Sequence, residues 1–324
     1  MHRIILQSPG SIEQLRWHEE ALPPPQDGEA QIRHEAVGVN FLDIYHRSGL
    51  YKLPSYPCGL GVEAAGTVTA VGSTVRGLSV GQHVAYVFHT PGSYAEARNV
   101  PAERLVPVPD GLDTTQAAAL LLQGLTADYL IHDTFPVKPG NTLLLHAAAG
   151  GVGLLLGQWA AKLGATVIGT AGNAEKAALA LAHGCTQVIQ YRHEDFSAQV
   201  KALTGGRGVD VVYDSVGQAT FEGSLQCLKP RGMLVSFGQA SGAVPPFDIS
   251  KLSAGGSLFL TRPTLFTHIA TTDELRMRAA RLFGAVLDGT LKAPPVTRFA
   301  LKDAAAAQQA LEERRTVGKI VLIP

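Results

Sequence analysis

The residues best placed by type and spacing to do chemistry lie in LLLHAAAGGVG, residues 143–153. An apolar run meets a glycine-rich turn there, and the helical stretch VGLLLGQWAAKLG follows. Glycines at a strand-to-helix turn let the backbone come close to a pyrophosphate, and the helix N-terminus offers it unbonded amides and a partial positive charge. Gly150, Gly151 and Gly153 therefore mark a candidate dinucleotide site. The match departs from G-x-G-x-x-G, because Ala148 stands where the first glycine would be. A glycine cluster alone is also an ordinary tight turn. What favours a cofactor is its place after a strand, at a helix start and at the head of a βαβ series.

Which dinucleotide binds depends on the end of the second strand, where an Asp or Glu would take the ribose hydroxyls of NAD. The segment here reads GTAGNAEKA and has no acid at the strand end; Asn173 follows Gly172, and Lys176 lies just inside the next helix. Small polar groups with a nearby cation receive a 2′-phosphate that a carboxylate would repel, so NADPH is preferred to NADH. Lys176 also fits a solvated lysine in the first turn of a helix.

The elements that must position these residues repeat one unit, a short apolar run, a turn and an amphipathic helix. Strands are predicted at residues 142–146, 166–170, 187–191, 209–214, 233–237 and 257–261. Helices are predicted at 152–163, 174–183, 195–203 and 220–228, with Gly164 and Gly184 at C-cap positions. This alternation predicts an α/β fold, a Rossmann doubly wound parallel sheet. Residues 1–122 differ: Gly and Pro punctuate short alternating segments such as GTVTAVGSTVRGLSVGQHVAYVF, which predicts a partly closed β-barrel. The domains are thus expected at 1–122, 123–264 and a C-terminal segment 265–324, with helices at 273–287 and 303–315 and a strand at 319–324. That last segment is expected to return to the first domain.

The chain resembles the quinone oxidoreductases of the medium-chain dehydrogenase/reductase superfamily, the ζ-crystallin-like group. The resemblance runs from end to end, on GVNFLDIYHRSGLY (38–51), GLGVEAAGTV (59–68), QGLTADYL (123–130), HAAAGGVG (146–153), VVYDSVG (211–217), SFGQASGAV (236–244) and LTRPTL (260–265). It implies a GroES-like β-barrel catalytic domain beside the nucleotide-binding domain, an active cleft between them, and a homodimer that pairs nucleotide-domain edge strands. It also implies that Asn40, Phe41, Asp43 and Tyr45 line the nicotinamide cleft, with Tyr51 at the substrate entrance. Tyr129 and the Gly151–Val152 turn would contact the nicotinamide side and the phosphates. Asn173, Lys176 and Tyr191 would flank the 2′-phosphate, Ser215 would lie near the cofactor cleft, and Phe237, Gly238 and Arg262 would close over its other side. Phe237 also fits sheet core, and Asn40 and Asp43 also fit turn formers between strands. Tyr45 and Tyr51, flanked by glycine and polar residues, fit core less well.

Zinc alcohol dehydrogenases of that superfamily carry a Gly-His-Glu motif whose histidine binds the metal, and the corresponding residues here are Gly61, Val62 and Glu63. Cys58, Cys185 and Cys227 are too few and too scattered to rebuild a catalytic or structural zinc site, and the 11 histidines show no close ligand pair. No metal is expected. Hydride addition to a plain ketone makes an alkoxide whose conjugate acid has a pKa of about 16, which calls for a Lewis acid. A reduced quinone oxygen is phenolate-like, nearer the tyrosine value of about 10, and an enone spreads its charge as an enolate. Hydrogen bonds from Asn40 or Tyr45 could suffice for either acceptor.

Lys and Arg together number 27, as do Asp and Glu, and no block of like charge occurs, which argues against nucleic acid and a polybasic membrane face. MHRIILQSPG is too short an apolar run for a signal or a membrane span, and three cysteines imply no disulfide framework, so a cytoplasmic enzyme is expected. The leading reading is an NADPH-dependent quinone reductase. The alternatives are an NADPH-dependent reductase of α,β-unsaturated aldehydes or ketones, and an NADPH-binding protein without turnover.

Overall fold

The structure is a computed structural model describing residues 1–324. The chain divides into two compact units, one of Met1–Leu122, Ile269–Leu287 and Ala293–Pro324, the other of Gln123–His268 and Asp288–Lys292.

The second unit carries a six-stranded sheet. Its order is Gln187–Gln190, Thr166–Ala171, Thr142–Leu145, Val209–Asp214, Leu228–Ser236 and Phe259–Thr261, and every pairing is parallel. Counted along the chain this is 3-2-1-4-5-6, so the order reverses beside Thr142–Leu145, where such sheets open a ligand crevice at the carboxyl ends of the strands. The central strands are covered on both faces, which is why Leu143, Leu144, Leu145, Val211 and Val212 form unbroken apolar runs. Predicted strand and helix ends agree to within about two residues except at the fifth strand, which begins at Leu228 rather than Met233. Pro230 and Gly232 read as a turn. In the structure Arg231 takes φ 62°, and an irregularity between Val209 and Val211 lets Leu228 pair ahead of the main run.

The first unit holds a seven-stranded sheet that is antiparallel except where Val296–Ala300 runs parallel to Lys319–Ile323. Its spine is the long strand Glu29–Val39. One edge of this strand pairs with Glu63–Val71, while along the other Ala97–Pro101 pairs near its start and Lys319–Ile323 near its end. Leu15–Glu19, His2–Leu6 and Cys58–Gly59 form a second, small sheet. The core includes Ile32, Val37, Leu60, Val68, Tyr86, Tyr94, Leu105, Ile320 and Leu322.

Elements that escape the sequence pattern include the helix Phe41–Ser48, the helix Thr114–Tyr129 with the wider π-type turn Leu130–Thr134 behind it, the short helices Ser250–Ala254 and Leu265–His268, and the strand Val296–Ala300. Asn40 and Asp43 are accordingly not turn formers between strands. Asn40 is the N-cap of the first of these helices, and the Asp43 carboxylate accepts the Asn40 backbone N–H at 2.8 Å, the reciprocal half of a capping box. Gly49, at φ 82°, ends that helix in the left-handed region, which only glycine enters without strain.

Candidate functional site

In the second unit, the strand Thr142–Leu145 runs into the turn ahead of the helix Gly151–Lys162. The first helical bond drawn to the turn is Leu154 N–H to Gly150 O at 2.9 Å, so the Gly151, Val152 and Gly153 amides belong to the helix end that has no intrahelical acceptor. The turn packs against the helix too closely for side chains. A Cβ on Gly153 would stand 2.5 Å from Ala147 O, and one on Gly151 would stand 2.7 Å from the Gln123 amide carbon. Ala148 replaces the usual first glycine because the neighbouring strand makes room for it: a Cβ on Gly169 would lie 2.8 Å from the Ala148 methyl. The Ala148 N–H also donates to Thr170 O at 3.0 Å, tying the turn to the second strand.

Beneath this turn lies a buried polar network that sequence reasoning missed. His146 contacts Thr170 Oγ1 at 3.1 Å and Ser224 Oγ at 3.0 Å, and the Ser224 hydroxyl donates to Asp214 at 2.9 Å. Asp214 also accepts the Val216 and Gly217 amides at 2.8 and 3.1 Å, so one buried carboxylate shapes the loop after the fourth strand. Burial pushes the His146 pKa down, against the pull of Asp214. Ser215, Phe237, Gly238 and Arg262 come together at this end. Ala240 N–H bonds Ser215 O at 3.1 Å, and the Arg262 guanidinium donates to Ser236 O at 3.0 Å and Gly238 O at 3.3 Å. Phe237 follows the last residue of its strand and is half-buried, so it is not sheet core. Tyr129 is 2 % exposed and stacks on His268 at 4.2 Å; burial raises its hydroxyl well above the ordinary tyrosine value.

At the end of the second strand, Asn173 caps the helix Ala174–Ala182 by accepting the Lys176 backbone N–H at 2.9 Å. A Cβ on Gly172 would stand 2.9 Å from Tyr191 Oη and 3.7 Å from Arg192 Nε. Tyr191 and Arg192 therefore crowd the strand end from the turn just beyond the neighbouring strand, which ends at Gln190. Arg192 is an addition to the sequence-derived set, and its signal was a cation directly after Tyr191.

In the first unit, Phe41, Tyr45 and Tyr51 form an aromatic group, with centroids 6.3 Å apart for Phe41–Tyr45 and 5.2 Å for Tyr45–Tyr51. Tyr45 sits on the helix at 9 % exposure and Tyr51 beyond it at 36 %, so Tyr45 is more core than its neighbours in sequence suggest. His46 packs against Tyr51, and burial lowers its pKa to about 4, which leaves the group uncharged near neutrality. Asn40 is nearly buried and its amide faces inward, toward Glu63 and Lys319. Asp43 is wholly buried, accepts the Tyr94 hydroxyl at 3.0 Å, and is raised by burial to about 7. With no exposed surface, this carboxyl bonds Asn40 and Tyr94 and offers no atom to a ligand. Val62 is wholly buried, and no three His, Cys, Asp or Glu side chains are grouped to hold a metal ion.

Residues 26–110 match the alcohol dehydrogenase GroES-like domain family and residues 151–283 the zinc-binding dehydrogenase family. A quinone oxidoreductase of Pseudomonas aeruginosa is 47 % identical over 99 % of both chains. The crystal structure of Escherichia coli quinone oxidoreductase complexed with NADPH superposes with a TM-score of 0.98 at 45 % identity, covering 100 % of each chain. A 2-haloacrylate reductase of Burkholderia is 42 % identical over 99 % of this chain and 98 % of its own.

Proposed function

The chain belongs to the quinone oxidoreductases of the medium-chain dehydrogenase/reductase superfamily, and from that premise we propose that it reduces quinones with NADPH without a metal ion. The observation that carries this reading is a wholly buried Val62 in the place of a metal-binding histidine, in the same unit as an uncharged aromatic group. Such a site suits an acceptor whose reduced oxygen is stable with little help, as a hydroquinone oxygen is. The cofactor supplies a hydride. The residues present fit it: the Gly151, Val152 and Gly153 amides would hold the pyrophosphate, and Lys176, Tyr191 and Arg192 the 2′-phosphate. Ser215, Phe237, Gly238 and Arg262 would border the same crevice, at the carboxyl ends of the strands. Phe41, Tyr45 and Tyr51 would hold a flat acceptor by stacking and exclude water, so positioning is their main catalytic contribution.

The similarity to a 2-haloacrylate reductase favours a second reading, reduction of an activated carbon–carbon double bond. NADPH oxidation followed with ortho-quinones, para-quinones and enones side by side tests both. Quinones are expected to turn over fastest. A preference for enones would replace the first reading with the second, and NADPH binding without turnover of any acceptor would leave a binding protein.

Tyr51→Ala is expected to raise the apparent KM for quinone while NADPH affinity stays nearly constant, because Tyr51 is the exposed member of the aromatic group. Unchanged quinone kinetics would remove it from the acceptor site.

The edge strand Phe259–Thr261 has one neighbour in the sheet, and Phe259 is 56 % exposed on it. An unprotected apolar edge invites pairing with a second copy, so a homodimer joined along this strand is the assembly expected. Phe259→Asp should shift sedimentation toward a monomer, and an unaltered dimer would place the interface elsewhere. No helix is long and apolar enough to cross a membrane. All three cysteines are unpaired, which supports a reducing cytoplasm as the working compartment.

A further inference from the structure

We propose that Lys319, on the last strand of the chain, is a positioning residue that sets the orientation of the Asn40 amide, with Glu63 as its counter-ion. This rests on the reading above only in placing at the acceptor the aromatic group carried by the helix that Asn40 caps. The Lys319 ammonium donates to Glu63 Oε2 at 2.7 Å and to Asn40 Oδ1 at 2.8 Å, and Asn40 Nδ2 donates to Glu63 Oε2 at 3.0 Å. Both charged side chains are 0 % exposed. An ammonium only donates and a carboxylate only accepts, so one amide orientation satisfies the triangle and its flip would break both bonds.

The surroundings are built for this pair. The other Glu63 oxygen accepts the Leu122 backbone N–H at 2.6 Å, and Gly38 leaves the space that the Glu63 carboxylate fills. Ile320 pairs with Val39, which brings Lys319 beside Asn40 from 279 residues away in sequence. Burying two charges costs desolvation that a packed apolar pair of similar volume would not, so stability alone is a poor reason for the pair. Its orienting effect is a better one. Asp43 holds the Asn40 backbone N–H while Lys319 and Glu63 hold its side chain, and the helix beginning at Phe41 carries Tyr45. The end of the chain thereby holds the start of the helix that presents the aromatic group, and small misplacements of such groups cost large factors in rate.

The test compares wild type, Lys319→Met, Lys319→Arg, Asn40→Ala, the Asn40→Ala/Lys319→Met double variant and the charge-neutral Glu63→Gln/Lys319→Met variant. The readouts are kcat and KM with NADPH and a para-quinone, NADPH affinity, thermal stability, and the NMR signal of the Asn40 side-chain amide. Lys319→Met is expected to lower kcat about 10- to 100-fold with NADPH affinity unchanged. In the Asn40→Ala background the same change should alter kcat less than about twofold. Lys319→Arg should retain part of the rate. Glu63→Gln should restore the stability of Lys319→Met without restoring kcat, and the amide signal should move in each variant that keeps Asn40 and lacks the ammonium. Independent, multiplying losses in kcat, or a kcat that recovers together with stability, would overturn the proposal. An unmoved amide signal would overturn it too, by a route that does not depend on the acceptor. A wild-type enzyme that turns over no quinone, with the amide signal shifting as expected, would instead refute the functional reading and leave the orientation intact.

Discussion

Replacing Lys176 with alanine should weaken NADPH binding about 10- to 100-fold and leave NADH binding nearly unchanged. A charge-assisted hydrogen bond contributes about 1.5–3 kcal/mol, and each 1.4 kcal/mol is about tenfold in affinity. NADH lacks the 2′-phosphate and so has little to lose. The helix itself should survive the change, because its cap is the Asn173 side chain accepting the backbone N–H of residue 176, and alanine is a strong helix former. Arg192→Ala should act in the same direction, since its guanidinium lies beside Gly172 at the same strand end. Rising salt should weaken wild-type NADPH binding more than NADH binding, as Lys176 is only partly buried and Arg192 is exposed. Titration of both cofactors against wild type and Lys176→Ala decides it. Equal losses for the two would mean that Lys176 supports the helix, and a wild-type preference for NADH would overturn the 2′-phosphate pocket.

Stability should fall steeply as the protein is acidified from about pH 6.5 toward pH 4. His34 and His46 are lowered by burial to about 4, and burial lowers His146 as well. For His34 the geometry suits the neutral ring: Nδ1 faces Ala95 O at 2.7 Å and Nε2 faces the Tyr86 hydroxyl at 3.0 Å. With folded values below the unfolded value of about 6.5, the unfolded chain takes up protons first, so stability is lost as pH falls through that window. Asp43 has the opposite sign. Its folded value, raised to about 7 against about 3.9 unfolded, makes the folded state the proton binder, so its contribution is present at low pH and lost as pH rises through 7. Three histidines oppose one carboxyl, and each uncompensated proton is worth about 1.4 kcal/mol per pH unit. Urea unfolding at a series of pH values should show this loss, and Asp43→Asn should steepen it by removing the offset. A flat profile between pH 6.5 and 4.5 would mean that the three imidazoles are protonated in the fold.

The nucleotide-binding unit was legible because its signals are local. Each strand is an apolar run of a few residues, each helix starts and ends on nearby cap residues, and the glycines at 150, 151 and 153 announce a close backbone approach within one turn of chain. The barrel unit was legible as β structure with scarce helix, yet the helix Phe41–Ser48 stayed hidden, since 8 residues between Asn40 and Gly49 carry too little periodicity to stand out. The Asn40…Asp43 spacing was the available sign of its start.

The sequence alone determined the parallel α/β architecture, the glycine turn and the absence of an acid at the second strand end, all set by the identity of neighbouring residues. Only the tertiary structure decided that Ala148 is accommodated by Gly169, that Arg192 joins Tyr191 at the second strand end, and that Tyr45 is buried while Tyr51 is exposed. It alone decided that the Asn40 amide turns inward to Lys319 and Glu63. Each of these depends on which strand lies beside which. Sheet neighbours far apart in sequence leave no local pattern, because the energy that pairs them comes from burial and register across the whole unit.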